Sequence, residues 1–439
     1  MTRALVLPIQ QFIHIQGISS VLLLGAAIIA LVWANSPWHD SYHHVWEMEL
    51  SLSRLNLPVH EWINDALMAI FFFLVGMEIK HEIVHGELAD MRRAALPIFG
   101  ALGGMIVPAL LFMVLNIGHP GQHGWGVPMA TDIAFSLGVL GMVKGIPQDL
   151  KIFLLTLAIA DDIGAIAVIA VFYTSSLRFE SLVIGLLLLV VIFLLRKVGI
   201  SQPVLYFVLG VSFWVAILRS GIHATIAGVI LGFMVPTTAT LSLREFQELG
   251  AGIVERFRAA LASGDEKTAK NLLGAFEQLA QETEAPSELL TRKLNDWVSF
   301  LVLPLFALAN AGVTFSAGAW GGLLSSRIAW GILLGLVVGK PLGIVGFAKL
   351  AERTGLAQIP SGVTWRQLSA VGILAGIGFT VSIFISSLAF DDPSHLLEAK
   401  TAVLAASLLA GVLGYFALRD RKRLSHSSNE AASSPVSES

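Results

Sequence analysis

Apolar runs long enough to cross a lipid bilayer recur along most of this sequence. A spanning helix needs about 20 mostly apolar residues, and the 439-residue chain has room for about a dozen of them. Hydrophobic residues make up 55% of the chain and charged residues 13%, whereas soluble domains average about 25% charged residues. We therefore predict an all-α polytopic membrane protein and exclude a soluble globular one.

The twelve predicted spans divide the chain into four parts. Spans 1–8 lie within 1–236, an insertion occupies 237–294, spans 9–12 lie within 295–418, and a polar tail fills 419–439. The tail is rich in Ser, Asn, Glu and Ala, a composition typical of disordered segments. The predicted spans are 13–34, 59–84, 94–115, 122–143, 150–173, 180–198, 202–218, 221–236, 295–314, 328–350, 366–387 and 396–418.

Lys and Arg are distributed unequally between the two ends of the predicted spans. Of the 28 Lys and Arg residues, 22 lie on the side that holds the N-terminus, and Lys340 lies within a span. Because cytoplasmic loops carry the excess of Lys and Arg, we expect both termini and the insertion to be cytoplasmic. The five on the opposite side are Arg54, Arg178, Arg219, Arg327 and Lys400.

The insertion 237–294 has its own helical pattern. Apolar residues recur at helical spacing over 243–261 and again over 267–279, and Gly264-Asp265 separates the two runs. We expect a cytoplasmic helical hairpin at the membrane surface. Its role is open between a regulatory domain and an insertion that is merely tolerated.

A short strand is predicted in the loop after the first span. Polar and apolar residues alternate from Glu47 to Ser53. An exposed strand edge can pair with the same edge on a second copy of the chain. His39, His43 and His44 precede the strand, but histidine-rich interfacial loops are common, so we do not expect a metal site there.

Four charged residues fall well inside apolar runs of the predicted spans, namely Asp132, Asp161, Asp162 and Lys340. Each charge costs about 2.5–3.5 kcal/mol at the centre of a membrane even on the most lenient scale. A buried ion pair that locks helices together would explain Lys340 and one aspartate. It would not explain three aspartates against one lysine, so we expect these residues to have a function.

Asp161 and Asp162 are neighbours on one predicted helix. Adjacent helical residues point about 100° apart, so one carboxylate can face an aqueous funnel while the other meets a neighbouring helix. Carboxylate oxygens are ligands that hard cations prefer. A carboxylate that holds either a proton or Na⁺ makes the two ions mutually exclusive, which is the simplest basis for exchange.

Two predicted spans contain interruptions. Gly and Pro residues precede Asp132 in the segment Gly124–Asp132, and a second Gly-rich stretch runs over Gly372–Thr380. Breaks at corresponding places in an early and a late bundle are typical of inverted repeats, and Asp132 and Lys340 could balance the free helix dipoles. Alternatively, such glycines only allow close packing, as we expect for Gly331, Gly335, Gly339 and Gly343.

Two further groups of ionisable residues are candidates for pH sensing. Glu78, Lys80, His81 and Glu82 close the second span at its cytoplasmic end, where they form either the mouth of a funnel or an ordinary solvated helix end. His223 lies at the start of the eighth span. It is either a pH sensor or an interfacial histidine with a satisfied hydrogen bond.

Seven segments of this chain resemble the NhaA-type sodium/proton antiporters. The resemblance covers nearly the whole chain except the insertion and the tail, with the motifs in the same order. The segments are Trp62–Met68, Ala130–Phe135, Ala160–Ala165, Ser220–Thr225, Leu303–Gly312, Gly339–Gly343 and Gly376–Thr380.

The resemblance implies twelve spans, with the fourth and eleventh broken and crossing near mid-membrane. It also implies a bacterial inner-membrane protein, not an enzyme, that exports Na⁺ or Li⁺ electrogenically against inward protons at alkaline pH. Asp162 is then the main cation ligand with Asp161 beside it, and Lys340 pairs with Asp161 when sodium is absent. Asp132 and Thr131 line the crossing of the broken helices.

The same resemblance implies that Glu78 and its neighbours His81 and Glu82 belong to a pH-responsive region, and that segment 45–55 forms a homodimer. No cofactor and no nucleic-acid partner are expected. The chain departs from the family at His81, where Arg is frequent, and at Thr291, where the family has an acidic residue. Both departures concern the pH response.

Two other classes of function compete with exchange. An intramembrane aspartyl protease needs two aspartates on different helices, one usually in a Gly-x-Gly-Asp context that this sequence lacks. A passive cation channel is the second alternative. Three intramembrane acids with one lysine fit proton coupling better than free conduction.

Overall fold

The computed structural model describes residues 2–52, 55–174, 177–200, 202–239, 241–314, 325–360 and 362–419. The predicted tail therefore lies outside the described residues, except for Arg419. In chain order the elements are α1 (Thr2–Ala34), α2 (His39–Glu47), β1 (Glu49–Leu52), β2 (Leu55–Pro58), α3 (Val59–Val84), α4 (Met91–Asn116), a 3-10 segment (Pro120–Met129), α5 (Ile133–Met142), α6 (Gln148–Phe172), α7 (Phe179–Lys197), α8 (Pro203–Ser220), α9 (Ala224–Met234), α10 (Leu243–Ala262), α11 (Glu266–Glu282), α12 (Pro286–Trp297), α13 (Leu303–Asn310), α14 (Arg327–Arg353), α15 (Trp365–Leu374), α16 (Phe379–Ala389) and α17 (Pro393–Arg419).

The all-α membrane architecture is confirmed, whereas the count of twelve spans stays a prediction. Eight helices of the described chain (α1, α3, α4, α6, α7, α8, α14 and α17) are long and apolar enough to cross a membrane, and two bent pairs raise the number to ten. The other two predicted spans coincide with α9, which has only 11 residues, and with the run that ends in α13. An 11-residue helix is about 16 Å long, well short of the bilayer core.

Both predicted interruptions are present. The 3-10 segment and α5 are bent by 46° relative to each other, and α15 and α16 by 48°. Pro128 lies just before the first break, and Gly376 and Gly378 lie in the second. Proline removes a backbone donor and glycine weakens a helix, so the local sequence favours a break at both places.

Glycines allow the helices at the centre of the molecule to pack with their backbones in contact. A Cβ added at Gly343 of α14 would lie 2.0 Å from the carbonyl oxygen of Gly103 on α4. In the same way, a Cβ at Gly228 of α9 would lie 2.1 Å from the carbonyl oxygen of Ala69 on α3. The predicted close contacts of the α14 glycines are therefore confirmed.

Helices α3 and α14, and the run from α12 to α13, each contain a wider π-helical segment. These segments are Trp62–Leu67, Val298–Val302 and Gly335–Gly339. The last two end two residues before a proline, Pro304 and Pro341. Since proline has no N–H and its ring collides with the carbonyl four residues earlier, an ordinary α-turn is disfavoured there.

The predicted strand is present as β1, and it pairs with β2 in an antiparallel hairpin with Glu49 opposite Pro58. The two predicted helices of the insertion are present as α10 and α11. The ring of Phe246 packs on that of Phe276 at 5.6 Å, and Gly264 turns the chain between the helices with a φ of 73°. The predicted boundary at 294/295 falls within α12.

Candidate cation-binding site at the two broken helices

The breaks of the two bent helix pairs contact each other. The backbone N–H of Asp132 donates to the carbonyl oxygen of Ile377 at 2.7 Å. The hydroxyl oxygen of Thr131 lies 2.9 Å from the carbonyl oxygen of Ala375. Unwound backbone deep in a membrane protein persists only where protein or a water-filled cavity supplies its hydrogen-bond partners. Here each break supplies some of the partners of the other.

Asp132 caps two helices at once. One carboxylate oxygen accepts a hydrogen bond from the N–H of Phe135 in α5 at 2.9 Å. The other accepts from the N–H and the hydroxyl of Thr380 in α16, at 3.1 and 2.6 Å. A carboxylate at a helix N-terminus stabilises the positive end of the helix dipole. The predicted role of Asp132 at the free N-terminal ends is therefore realised on both broken helices.

Asp161 forms an ion pair with Lys340 inside the protein. The ammonium lies 2.6 Å from Asp161 Oδ2, and both side chains are fully buried. The same oxygen accepts from the hydroxyl of Thr131 at 2.7 Å, while Lys340 also donates to the carbonyl oxygen of Met129, the last residue of the 3-10 segment. Lys340 therefore meets the negative end of a broken helix, as its charge favours.

One oxygen of the ion-paired Asp161 remains available. Its Oδ1 is buried and has no hydrogen-bond partner within the described ranges. Buried acceptors in folded proteins almost always have a partner. An acceptor without one, next to a second carboxylate, is a place where a cation or a proton would be stabilised.

Asp162 faces the other way. It lines a cavity of about 650 Å³ together with Thr131, Asp132 and Thr380 from the two breaks. Its own exposed fraction is only 4%, so the carboxylate sits at the buried part of that cavity. The predicted divergence of the adjacent pair is observed, with Asp161 turned to Lys340 and Asp162 turned to the cavity.

The cavity is lined further out by ionisable residues of two helices. From α3 come Glu78, His81 and Glu82, three of the four residues predicted at the mouth of a funnel. The fourth, Lys80, donates to the carbonyl oxygen of Val235 instead. His81 lies 3.6 Å from the carboxylate of Glu288 on α12. The other polar residues that α12 contributes are Ser287, Thr291, Arg292, Asn295 and Asp296.

The contribution of α12 was not predicted. The ninth span was expected to begin at residue 295, so Glu288 was assigned to the insertion. The signal that could have placed it was the helical run beginning at Pro286, a favoured first residue of a helix, which continues into the apolar span. Thr291, one of the two departures from the family pattern, lies on this cavity wall.

His223 is not brought to the cavity. It precedes α9, and its ring nitrogen Nε2 makes a hydrogen bond with the carbonyl oxygen of Tyr173 at the end of α6. The hydroxyl of Tyr173 in turn donates to the carbonyl oxygen of His123 at 2.7 Å and accepts from the N–H of Gly126 at 3.1 Å. His223 thus belongs to contacts around the first broken helix, apart from Glu78, His81 and Glu82.

Asp161 and Asp162 do not form a complete cage for a metal ion. Within the part of the chain that the structure describes, no group of three or more His, Asp and Glu residues has a metal-binding arrangement. Two carboxylates and the Thr131 hydroxyl supply oxygen donors only. Oxygen donors of this kind are the ligands that hard cations prefer.

Comparison with known proteins identifies the family. Residues 10–418 match the family described as Na+/H+ antiporter 1. The chain is 42% identical to the Na(+)/H(+) antiporter NhaA 2 of Syntrophotalea carbinolica over 94% of this chain and 96% of that protein. It is 43% identical to the Na(+)/H(+) antiporter NhaA of Oleidesulfovibrio alaskensis over 94% of each protein. The chain therefore belongs to the Na+/H+ antiporter 1 family, whose members are multi-pass membrane transporters and not enzymes.

Proposed function

We propose that this protein exports Na⁺ or Li⁺ from the cell in exchange for inward protons. The observation that carries the proposal is the division of one buried aspartate pair between two environments. Asp162 lines the end of a cavity that reaches charged residues of α3 and α12, whereas Asp161 is held by Lys340. An ion that enters the cavity meets Asp162 first, and Asp161 Oδ1 is an acceptor with no partner among the described residues.

Exchange follows from competition for these oxygens. In the proton-loaded form Asp162 carries a proton and Asp161 is paired with Lys340. A sodium ion that binds Asp162, the Thr131 hydroxyl and Asp161 weakens the attraction between Asp161 and the ammonium, because it neutralises the same charge. One proton leaves from Asp162 and a second from the Asp161–Lys340 pair, so more than one proton moves per cation and exchange is electrogenic.

We assign the pH response to the residues at the outer part of the cavity. Glu78, His81, Glu82 and Glu288 bring three carboxyl groups and one imidazole together along the path of the ion. Histidine is the side chain that proteins most often use as a pH switch, and here it lies beside carboxyl groups on the path of the ion. The chain carries His81 where the family often has Arg, so its pH profile should reflect an imidazole at this position.

The remaining features of the proposal concern location and assembly. The bias of Lys and Arg supports a bacterial inner-membrane protein with both termini and the insertion 237–294 in the cytoplasm. Among the described residues the hairpin of β1 and β2 pairs with no further strand, which supports pairing of segment 45–55 in a homodimer. Na⁺, Li⁺ and protons are the cargo, and the exchange cycle requires no resident cofactor.

The decisive experiment measures proton movement in everted membrane vesicles after addition of Na⁺. We expect the parent protein to move protons and Asp162→Asn to abolish the sodium-dependent signal, because the amide cannot exchange a proton for a cation. Asp149→Asn is the matched control, since Asp149 is exposed in the first turn of the same helix. Full exchange by Asp162→Asn would refute the assignment. A current larger than carrier rates in a planar bilayer would favour a channel instead.

A further inference from the structure

The π-helical turn Gly335–Gly339 in α14 directly precedes Lys340. The N–H of Lys340 donates to the carbonyl oxygen of Gly335, five residues earlier, which is the hydrogen bond of a π turn. The next residue, Pro341, has no N–H to offer to the carbonyl oxygen of Leu336. Pro341 therefore favours the wide turn, and it leaves the Leu336 carbonyl oxygen without that donor.

This turn lies between the breaks of the two broken helices. A Cβ added at Gly335 would lie 2.7 Å from Cβ of Pro128, which precedes the first break. A Cβ added at Gly376, in the second break, would lie 2.4 Å from the Leu336 carbonyl oxygen. Leu336 is fully buried, and its Cδ2 lies 3.2 Å from a Cβ position on Gly378. Gly335 and Leu336 therefore cannot move without disturbing a break.

The width of the turn also sets the direction of the Lys340 side chain. A π turn holds one residue more than an α turn. If it became an α turn, the residues of α14 that follow it would rotate by about 100° about the helix axis. The Lys340 ammonium, now on Asp161 and on the Met129 carbonyl oxygen, would then point away from both. A lysine in an undistorted α14 with the same upstream contacts would not reach Asp161.

We propose that the π turn Gly335–Gly339 is the positioning element for Lys340. Pro341 keeps the turn wide, the turn aims the ammonium at Asp161, and Leu336 ties that state to the second break. Release of Lys340 from Asp161 is accompanied by closure of the turn and movement of the break. The transport role of this element rests on the proposed exchange function, but its positioning role is measurable without transport.

The test of positioning is a double-mutant cycle on the thermal stability of the full-length protein in detergent. Lys340→Gln, Asp161→Asn and the double variant give the coupling between the two side chains, first in the parent and then with Pro341→Ala. We expect Pro341→Ala to reduce the coupling by about half or more. Pro304→Ala is the matched control, because Pro304 follows the π turn Val298–Val302, which does not precede Lys340. Unchanged coupling in Pro341→Ala would overturn the proposal.

A milder pair of variants covers the case in which Pro341→Ala does not fold. Leu336→Ala shortens the side chain at the second break, and Val338→Ala changes a residue of the same turn that is 42% exposed. If Lys340 is held less firmly against Asp161, its ammonium competes less strongly with Na⁺ for that carboxylate. We therefore expect Leu336→Ala to lower the KM for Na⁺ severalfold and Val338→Ala to leave the KM unchanged. A lower kcat with the KM unchanged or raised in Leu336→Ala would indicate structural damage only and contradict the proposal. If the parent protein shows no sodium-dependent proton movement, the exchange function fails and the stability cycle still decides the positioning role.

Discussion

Replacing Asp132 with Asn should loosen the contact between the two broken helices. The carboxylate accepts from the N–H of Phe135 on one side, and from the N–H and hydroxyl of Thr380 on the other. All three partners donate, so the group acts purely as an acceptor. Asparagine keeps one carbonyl oxygen and can cap only one of the two helices. If the carbonyl oxygen caps α5, the NH₂ group faces the N–H of Thr380. Two hydrogen-bond donors then face each other and no bond forms.

The expected loss follows from these contacts. A hydrogen bond to a charged acceptor contributes about 1.5–3 kcal/mol, and a carboxylate at a helix N-terminus adds about 0.3–2 kcal/mol. We therefore expect Asp132→Asn to lower the free energy of unfolding by about 3 kcal/mol. Thr380→Val removes only the hydroxyl bond of 2.6 Å, and we expect it to cost less than Asp132→Asn.

The assay is thermal unfolding of the purified full-length variants in the same detergent. Asp149→Asn provides the control for loss of a negative charge at an exposed site, and it should melt with the parent protein. The ranking should run from the parent through Thr380→Val to Asp132→Asn. If Asp132→Asn melted at the parent temperature, the carboxylate would not be holding the two helices together, and the reasoning about the broken pair would fail.

Three further outcomes are expected from the contacts in the core. Lys340→Met should cost about 3–5 kcal/mol because it leaves Asp161 buried without its partner, whereas Lys340→Met combined with Asp161→Leu should recover most of the stability measured by melting. Gly343→Ala should prevent accumulation of folded protein in membranes, because its Cβ would lie 2.0 Å from the Gly103 carbonyl oxygen, and Gly346→Ala, with open space around it, should accumulate normally. Tyr173→Phe should lower stability by about 1 kcal/mol, since the phenol bridges the carbonyl oxygen of His123 and the N–H of Gly126; melting equal to the parent would contradict that bridge.

Much of the candidate site followed from local properties of the sequence. Asp132, Asp161, Asp162 and Lys340 were recognised because a charge inside an apolar run is costly wherever the run packs. The separation of Asp161 from Asp162 followed from the fixed rotation between neighbouring helical residues. The positions of the two breaks followed from Gly and Pro, which act on the backbone within a few residues.

Several hydrogen-bond partners of these residues did not follow from the sequence. The second cap of Asp132 is Thr380, 248 residues further along the chain, and Lys340 meets the carbonyl oxygen of Met129 211 residues earlier. Glu288 was assigned to the insertion, although α12 carries it to the cavity beside His81. The π turn before Lys340 is likewise absent from the sequence prediction, in which Pro341 is only part of the motif Gly339–Gly343.

The sequence by itself determined a helical membrane protein with a few costly charges and two interrupted helices, because hydropathy, helix rotation and the effects of Gly and Pro are local. The family resemblance already implied the pairing of Lys340 with Asp161. Only the tertiary structure decided that Asp162 lines the cavity and that one carboxylate caps both broken helices. Each of these depends on which distant helices approach closely enough to exchange a hydrogen bond. That approach is set by the packing of glycine faces across the core, and no segment of the chain encodes it alone.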